Sequence, residues 1–269
     1  MKKSHLTVAL LATLSISVAH ADTGTIIKFD SSVPEAPREL SILNGRVLIP
    51  SATGDGRIIM DTNKNVMFMV NDPQKQYMEM NDETIEQSTG MMEQMQQQMA
   101  AQLKSLPEAQ RKAIEQRMGL GQAKPATPKV EVKPTGKKRN VSGVECEDRS
   151  VLTDGQATMS ACVATPKAAG ISEVDYKTMK KMFHFSREMA KKSGGLGGGK
   201  LTTNVPDLDG IPMEVKDLQS GNTLTITSIQ SSNLDSKHFA PDPSYKRFDP
   251  IQQMQQQMLQ MGAGAASGQ

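Results

Sequence analysis

Tryptophan is absent from this chain of 269 residues, and six phenylalanines and three tyrosines supply only 3% aromatics. A core of large rings is therefore excluded. The interior must come from Val, Ile, Leu and an unusual number of Met, 19 in all, whose flexible, polarizable side chains suit irregular or changing apolar surfaces. Histidine is scarce as well. His5 and His20 fall in the first 21 residues, leaving His184 and His238 far apart, so a histidine zinc site or a Ser-His-Asp triad lacks its parts. There is no G-x-S-x-G, no H-E-x-x-H and no recognisable glycosidase-like carboxylate pair, so the sequence reads as a non-enzyme without a cofactor. No stretch after residue 21 is long and apolar enough to span a bilayer as a helix.

Residues 1–21 have the three parts of a secretory signal. Lys2 and Lys3 lead, an apolar run spans 6–18, and Ala19-His20-Ala21 presents small residues at both peptidase positions. Cleavage before Asp22 would place a 248-residue chain in the periplasm. No cysteine follows the cleavage site to carry a lipid anchor. Lys2 and Lys3 leave with the signal, so 29 basic residues then face 29 acidic ones, whereas a nucleic-acid binder needs a basic surplus.

Only Cys146 and Cys162 remain to consider for redox chemistry. They lie at equal distance from Asp154, inside the turn pattern Thr153-Asp154-Gly155. A hairpin folded there sets them directly opposite each other, within disulfide reach. In an oxidising compartment the bond should contribute roughly 3 kcal/mol. The C-x-x-C spacing of a redox-active pair is missing.

Short β-rich runs separated by Gly, Asn, Asp and Pro predict an antiparallel meander over 25–80, with strands at 25–29, 46–49, 57–60, 66–70 and 76–80. Residues 82–118 then change character. Met92, Met95, Met99 and Leu103 recur at helical spacing, and Ser105-Leu106-Pro107-Glu108 is a capping box that starts a second helix, making a Met/Gln-rich helical hairpin. A Pro-, Lys- and Ala-rich linker is expected over 119–136, with strands resuming at Arg139. Ser172 caps a further helix with an apolar face of Val174, Met179, Met182, Phe183 and Met189. Its other face carries Lys177, Lys180, Lys181, Arg187, Lys191 and Lys192. A final hairpin joins 211–217 to 223–231. The tail from 250 to 269 repeats the Met/Gln pattern of 92–99 and ends in a disordered stretch. The Gly-rich run 194–201 misses a phosphate-binding loop, because Leu201 stands where a Ser or Thr should be and the run follows a helix rather than a strand. The whole predicts one β-rich domain over 22–249.

The methionines are the candidate site. If Asn71 pairs with Gln76 across a four-residue loop, Met69 faces Met78 and Met67 faces Met80. A turn at Asn63-Lys64 likewise sets Met60 opposite Met67. All five then share one sheet face. Three readings fit them: ordinary core, an adaptable surface for an apolar guest, or a thioether site for copper(I). For the helical set Met91, Met92, Met95 and Met99, stripe packing stands beside copper(I) binding, docking to a helical partner, or self-association.

Three segments carry a resemblance. Gly136-Lys137-Lys138-Arg139-Asn140-Val141-Ser142-Gly143-Val144-Glu145-Cys146, Asp209-Gly210-Ile211-Pro212-Met213-Glu214-Val215 and His238-Phe239-Ala240-Pro241-Asp242-Pro243-Ser244-Tyr245 occur in this order. They resemble the "G-K…V-x-G-y-x-C", "G-G-[IF]-P-x-x-V" and "F-x-x-P-x-x-Y" segments of a bacterial exported family described only as a domain of unknown function. That family is similar in organisation to LolA-like periplasmic lipoprotein carriers. The resemblance implies an α+β fold, an open half-barrel of curved antiparallel sheet under a helical plug, and a lipid or lipoprotein as ligand. It supplies no catalytic residues, and this chain adds the Met/Gln-rich insert and tail. The first expectation is easily checked: mass spectrometry of the exported protein should find Asp22 as its N-terminal residue, and an intact Met1 or Lys2 start would refute the signal.

Overall fold

The computed structural model describes residues 22–104, 107–108, 110, 128–192, 206–250 and 252–253. Among these residues twelve strands form one open, curved, mixed sheet carrying two helices. The strands are β1 (Asp22–Ser31), β2 (Glu39–Leu43), β3 (Arg46–Pro50), β4 (Gly56–Asp61), β5 (Val66–Asn71), β6 (Gln76–Met80), β7 (Val130–Val141), β8 (Val144–Thr153), β9 (Gln156–Ala164), β10 (Ile211–Asp217), β11 (Thr223–Leu234) and β12 (Lys246–Arg247). Helix α1 spans Asp82–Lys104 and helix α2 spans Glu173–Lys192. The spatial order is β12-β6-β5-β4-β3-β2-β1-β11-β10-β9-β8-β7. Two meanders thus join where β1 pairs with β11.

Local sequence explains the joints. Asn44 and Gly45 both take positive φ, as the two-residue turn between Leu43 and Arg46 requires. That Asn-Gly signal marks β2, a strand absent from the predicted meander. Asn81 Oδ1 accepts from the Thr84 amide at 2.9 Å, and Thr84 Oγ1 accepts from the Asn81 amide at 2.9 Å. This reciprocal cap starts α1 at the predicted position. Ser172 Oγ accepts from the Asp175 amide at 3.0 Å and starts α2 in the same way. Gly210, in the second of the resembling segments, has to be glycine, because a Cβ there would collide with Val163 and the Ala164 carbonyl.

Four expectations are corrected. Strand β7 begins at Val130, inside the expected linker over 119–136. Proline misled the reading there: β7 is an edge strand, where Pro134 takes nothing from a neighbour's ladder, and a register shift absorbs the residues between Pro134 and Lys138. The sheet is mixed, since β12 runs parallel to β6. Cys162 faces Asp148 rather than Cys146, because the hairpin turns between Asp154 and Gly155 rather than at Asp154 and a bulge between Val151 and Leu152 adds one more residue of shift. The cysteines are diagonal neighbours instead, with Cα atoms 5.4 Å apart, and the disulfide forms. Last, Val174 is exposed. Tyr176, Met179, Met182 and Phe185 make the buried face of α2, the set that follows the 3.6-residue period.

The core lies between α2 and one sheet face. Ile27, Ile42, Val47, Ile211, Met213 and Ile226 meet the buried face of α2, and the disulfide is buried among them. Thr25 donates to Asp175 Oδ2 at 2.8 Å and pins the start of the helix to β1. Burial pushes the Tyr176 phenol up, aided by the charges of Asp209 and Asp207, while the Lys180 ammonium lies 4.8 Å from its ring centre. On the opposite face, Leu208 covers Val151, Met159, Ala161, Val163 and Val215.

A C-terminal arm covers the opposite face at the other end of the sheet. Asp235 caps the short 3-10 helix Ser236–Phe239, whose Phe239 is buried near β3 and β4. Tyr245 donates to Asp72 Oδ1 at 3.0 Å, and the amides of Lys246 and Phe248 donate to the carbonyls of Lys75 and Tyr77. The predicted signal at 1–21, the Gly-rich run 194–201 and the tail from 254 lie outside the described residues. So does most of the second helix expected over 108–118, of which only Glu108 and Gln110 are described.

Reduction of the disulfide, or Cys162→Ser, should lower unfolding free energy by about 3 kcal/mol in urea titrations. The hydrogen bond to Asp72, then burial, raises the Tyr245 phenol above its usual value. Folding therefore favours the protonated form. Its contribution is complete below about pH 10, the ordinary phenol value, and is lost as pH rises through the raised one. Melting temperature should fall more steeply at alkaline pH in the wild type than in Tyr245→Phe.

Candidate functional site

The meander of β3 to β6 sets two rows of apolar side chains on the face that α2 covers further along. One row is Val47, Met60, Met67 and Met80; the other is Ile49, Ile58, Met69 and Met78. The expected pairs Met60–Met67, Met67–Met80 and Met69–Met78 are all present. Asn71 pairs with Gln76 across the four-residue loop that fixes this register. The rows also include Ile49 and Ile58, which sequence reading passed over although they alternate in phase with Val47 and Met60.

Burial falls along the rows away from α2. Helix α2 runs closest to β2 and β3. Ile42 and Val47 are fully buried and Met60 is 3% exposed, joined to the core beneath α2. Met67, Met78 and Met80 are half-buried, and Met69 is 42% exposed. Helix α1 leaves the end of β6 and touches both β6 and α2, so it lies on this same side. Asn65 donates to Asp82 Oδ2 at 3.1 Å and ties the start of α1 to the β4–β5 turn. Ile85 and Leu103, five turns apart on one helix face, are both buried. The methionine rows therefore sit between two helices, with α1 entering directly from their outermost strand.

Of the helical set, Met91 is half-buried on α1. The side chains of Met92, Met95 and Met99 lie outside the described residues. Among the described residues no three His, Cys, Asp or Glu side chains are grouped to hold a metal, so any metal here would depend on thioether sulfur. The rows can offer soft, deformable apolar contact. They contain no acid, base or nucleophile.

No protein-family model matches the chain, and no curated protein matches it. No helix among the described residues is long and apolar enough to cross a membrane.

The burial gradient separates core methionine from surface methionine. Met60→Ala should cost about 2 to 5 kcal/mol in chemical unfolding. Met69→Ala should change stability by less than about 0.5 kcal/mol. Similar losses at both positions would mean that the outer methionines are packed as tightly as the core.

Proposed function

We propose that this protein is a non-catalytic periplasmic binding or carrier protein that takes a hydrophobic, lipid-like ligand on the methionine face of β4 to β6. The observation that carries the reading is the gradient from Met60 at 3% exposed to Met69 at 42% along paired rows. Four methionines stay partly open beside a well-packed core. Methionine adapts to guests of differing shape at little rotamer cost, which suits acyl chains. The open, curved sheet and the resemblance to LolA-like carriers support the same reading, with α1 and α2 as the helical cover over a half-barrel. The buried disulfide is what an exported domain uses to hold a sheet that does not close on itself.

In this reading the ligand gains affinity from apolar area removed from water, about 25 cal/mol per Å2. Movement of α1 about the Asn81 cap admits it. Native mass spectrometry of the purified protein should show lipid-mass adducts, and a fluorescent fatty acid should bind with Kd in the micromolar range. Met69→Glu and Met78→Glu should each weaken that binding by about tenfold or more, because a carboxylate would be stripped of water by the chain. Absence of both extractable lipid and probe binding refutes the reading. Copper(I) adducts abolished by Met→Leu changes at the same positions would replace it with a thioether metal site.

A further inference from the structure

Strand alternation puts a different chemistry on the reverse of the methionine rows. Arg46, Asp61, Phe68 and Tyr77 all point to the face that the C-terminal arm covers. Between sheet and arm lies a cavity of about 280 Å3. Its apolar walls are Phe68, Tyr77, Phe239, Pro241, Pro243 and Tyr245. Phe68 and Tyr77 meet edge to face with ring centres 5.9 Å apart, which fixes the floor. The roof is held independently of any occupant, by buried Phe239, by the Tyr245–Asp72 hydrogen bond and by the pairing of β12 with β6.

Donors and acceptors around this cavity do not balance. Asp61 Oδ1 accepts from the amides of Asn63 and Lys64 at 3.0 and 3.2 Å, and its Oδ2 accepts from Arg46 Nε at 3.2 Å. Asp242 Oδ1 accepts from the amide and hydroxyl of Ser244 at 2.8 and 2.6 Å. Asp61 is thus engaged at both oxygens, and Asp242 at Oδ1. Arg46 uses only Nε, and its two terminal nitrogens have no partner among the described residues. The Lys64 ammonium has none either. Besides Asp242 Oδ2 and the Tyr77 hydroxyl, what remains uncommitted is a planar guanidinium edge suited to a carboxylate and a nearby ammonium.

We propose that this cavity is a binding site for a small aromatic carboxylate. The single ring lies between the Phe68–Tyr77 floor and the proline-bearing roof, and the carboxylate meets the terminal nitrogens of Arg46 with Lys64 beside it. The volume lies just below the usual range of ligand sites, about 300 to 1,000 Å3. It suits a one-ring acid. This site lies on the opposite face from the methionine rows and stands or falls apart from the lipid reading.

The test is titration of the purified protein with benzoate, benzamide and acetate, followed by amide chemical shifts in NMR. Benzoate should move the amides of Arg46, Lys64, Phe68 and residues 239–245. Benzamide, which lacks the charge, and acetate, which lacks the ring, should each bind about tenfold more weakly or worse. Arg46 also holds Asp61, so Arg46→Gln would disturb the fold. Lys64→Gln changes only an exposed side chain and should weaken benzoate about tenfold with an unchanged melting temperature. Phe68→Leu should weaken it as well. The proposal is overturned by any of three results: no shifts at about 10 mM benzoate, an equal response to benzamide, or shifts confined to the methionine face.

Discussion

Strand β1 begins at Asp22 and must find β11, which ends at Leu234, before the two meanders can become one sheet. Closing a loop of some two hundred residues costs about 5 kcal/mol of chain entropy. The contacts that offset it are concentrated at the joint. Ile27 and Ile226, on neighbouring strands there, are essentially inaccessible to water. Thr25 on the same strand holds Asp175 and so places α2. The helix then covers both sides of the joint at once, drawing Ile42 and Val47 from one meander and Ile211 and Met213 from the other into a single core. The position of α2 in turn decides how far the core reaches along β3 to β6, and hence where the methionines begin to emerge.

Legibility in the sequence followed the range of the interaction. Turns and caps are encoded within four residues. The Asp82 start of α1, the Ser172 cap and the methionine register set by Asn71 and Gln76 could accordingly be read directly. The first meander was readable except for β2, whose Asn44-Gly45 signal was present but passed over. Features set by a strand's place in the sheet were not readable. Pro134 looks like a linker residue until β7 is known to be an edge. The two-residue turn at Asp154-Gly155 and the bulge at Val151 each shift the cysteine register by one residue, and spacing alone cannot reveal the bulge. The exposure of Val174 depends on which side of α2 meets β2 and β3. For the candidate site, sequence placed five methionines on one face but could not order them by burial, since that order comes from the reach of α2.

One length of sheet, β3 to β6, presents unlike chemistry on its two faces because residue types alternate along each strand. Met67 and Met69 flank Phe68 in β5, and Met78 and Met80 flank Glu79 in β6. The methionines collect on the helix side; aromatic rings and fixed charges, with buried Ile59 and Val70 between them, lie on the side of the arm. Apart from the Arg46–Asp61 pair between β3 and β4, the strands there are joined by backbone ladders, so the register rests on the backbone rather than on either face's side chains. The tight turns at the ends of these strands, pinned by Asp61 and Asn71, keep the two surfaces aligned back to back.

An open sheet of twelve strands has two ends at which another copy could add itself. At one, β7 shows Lys133, Lys137 and Lys138 on exposed positions around Pro134, which has no amide hydrogen to give. At the other, β12 is two residues long, and both of them, Lys246 and Arg247, are exposed and basic. On both rims some of these cations pair with acidic neighbours, Lys133 with Glu131, Lys138 with Glu145 and Arg247 with Glu79. Long charged side chains, the short β12 and the interrupted β7 leave little clean ladder for a second copy to extend. The arm and the proline-broken strand are thus the means by which an unclosed sheet blunts its own edges.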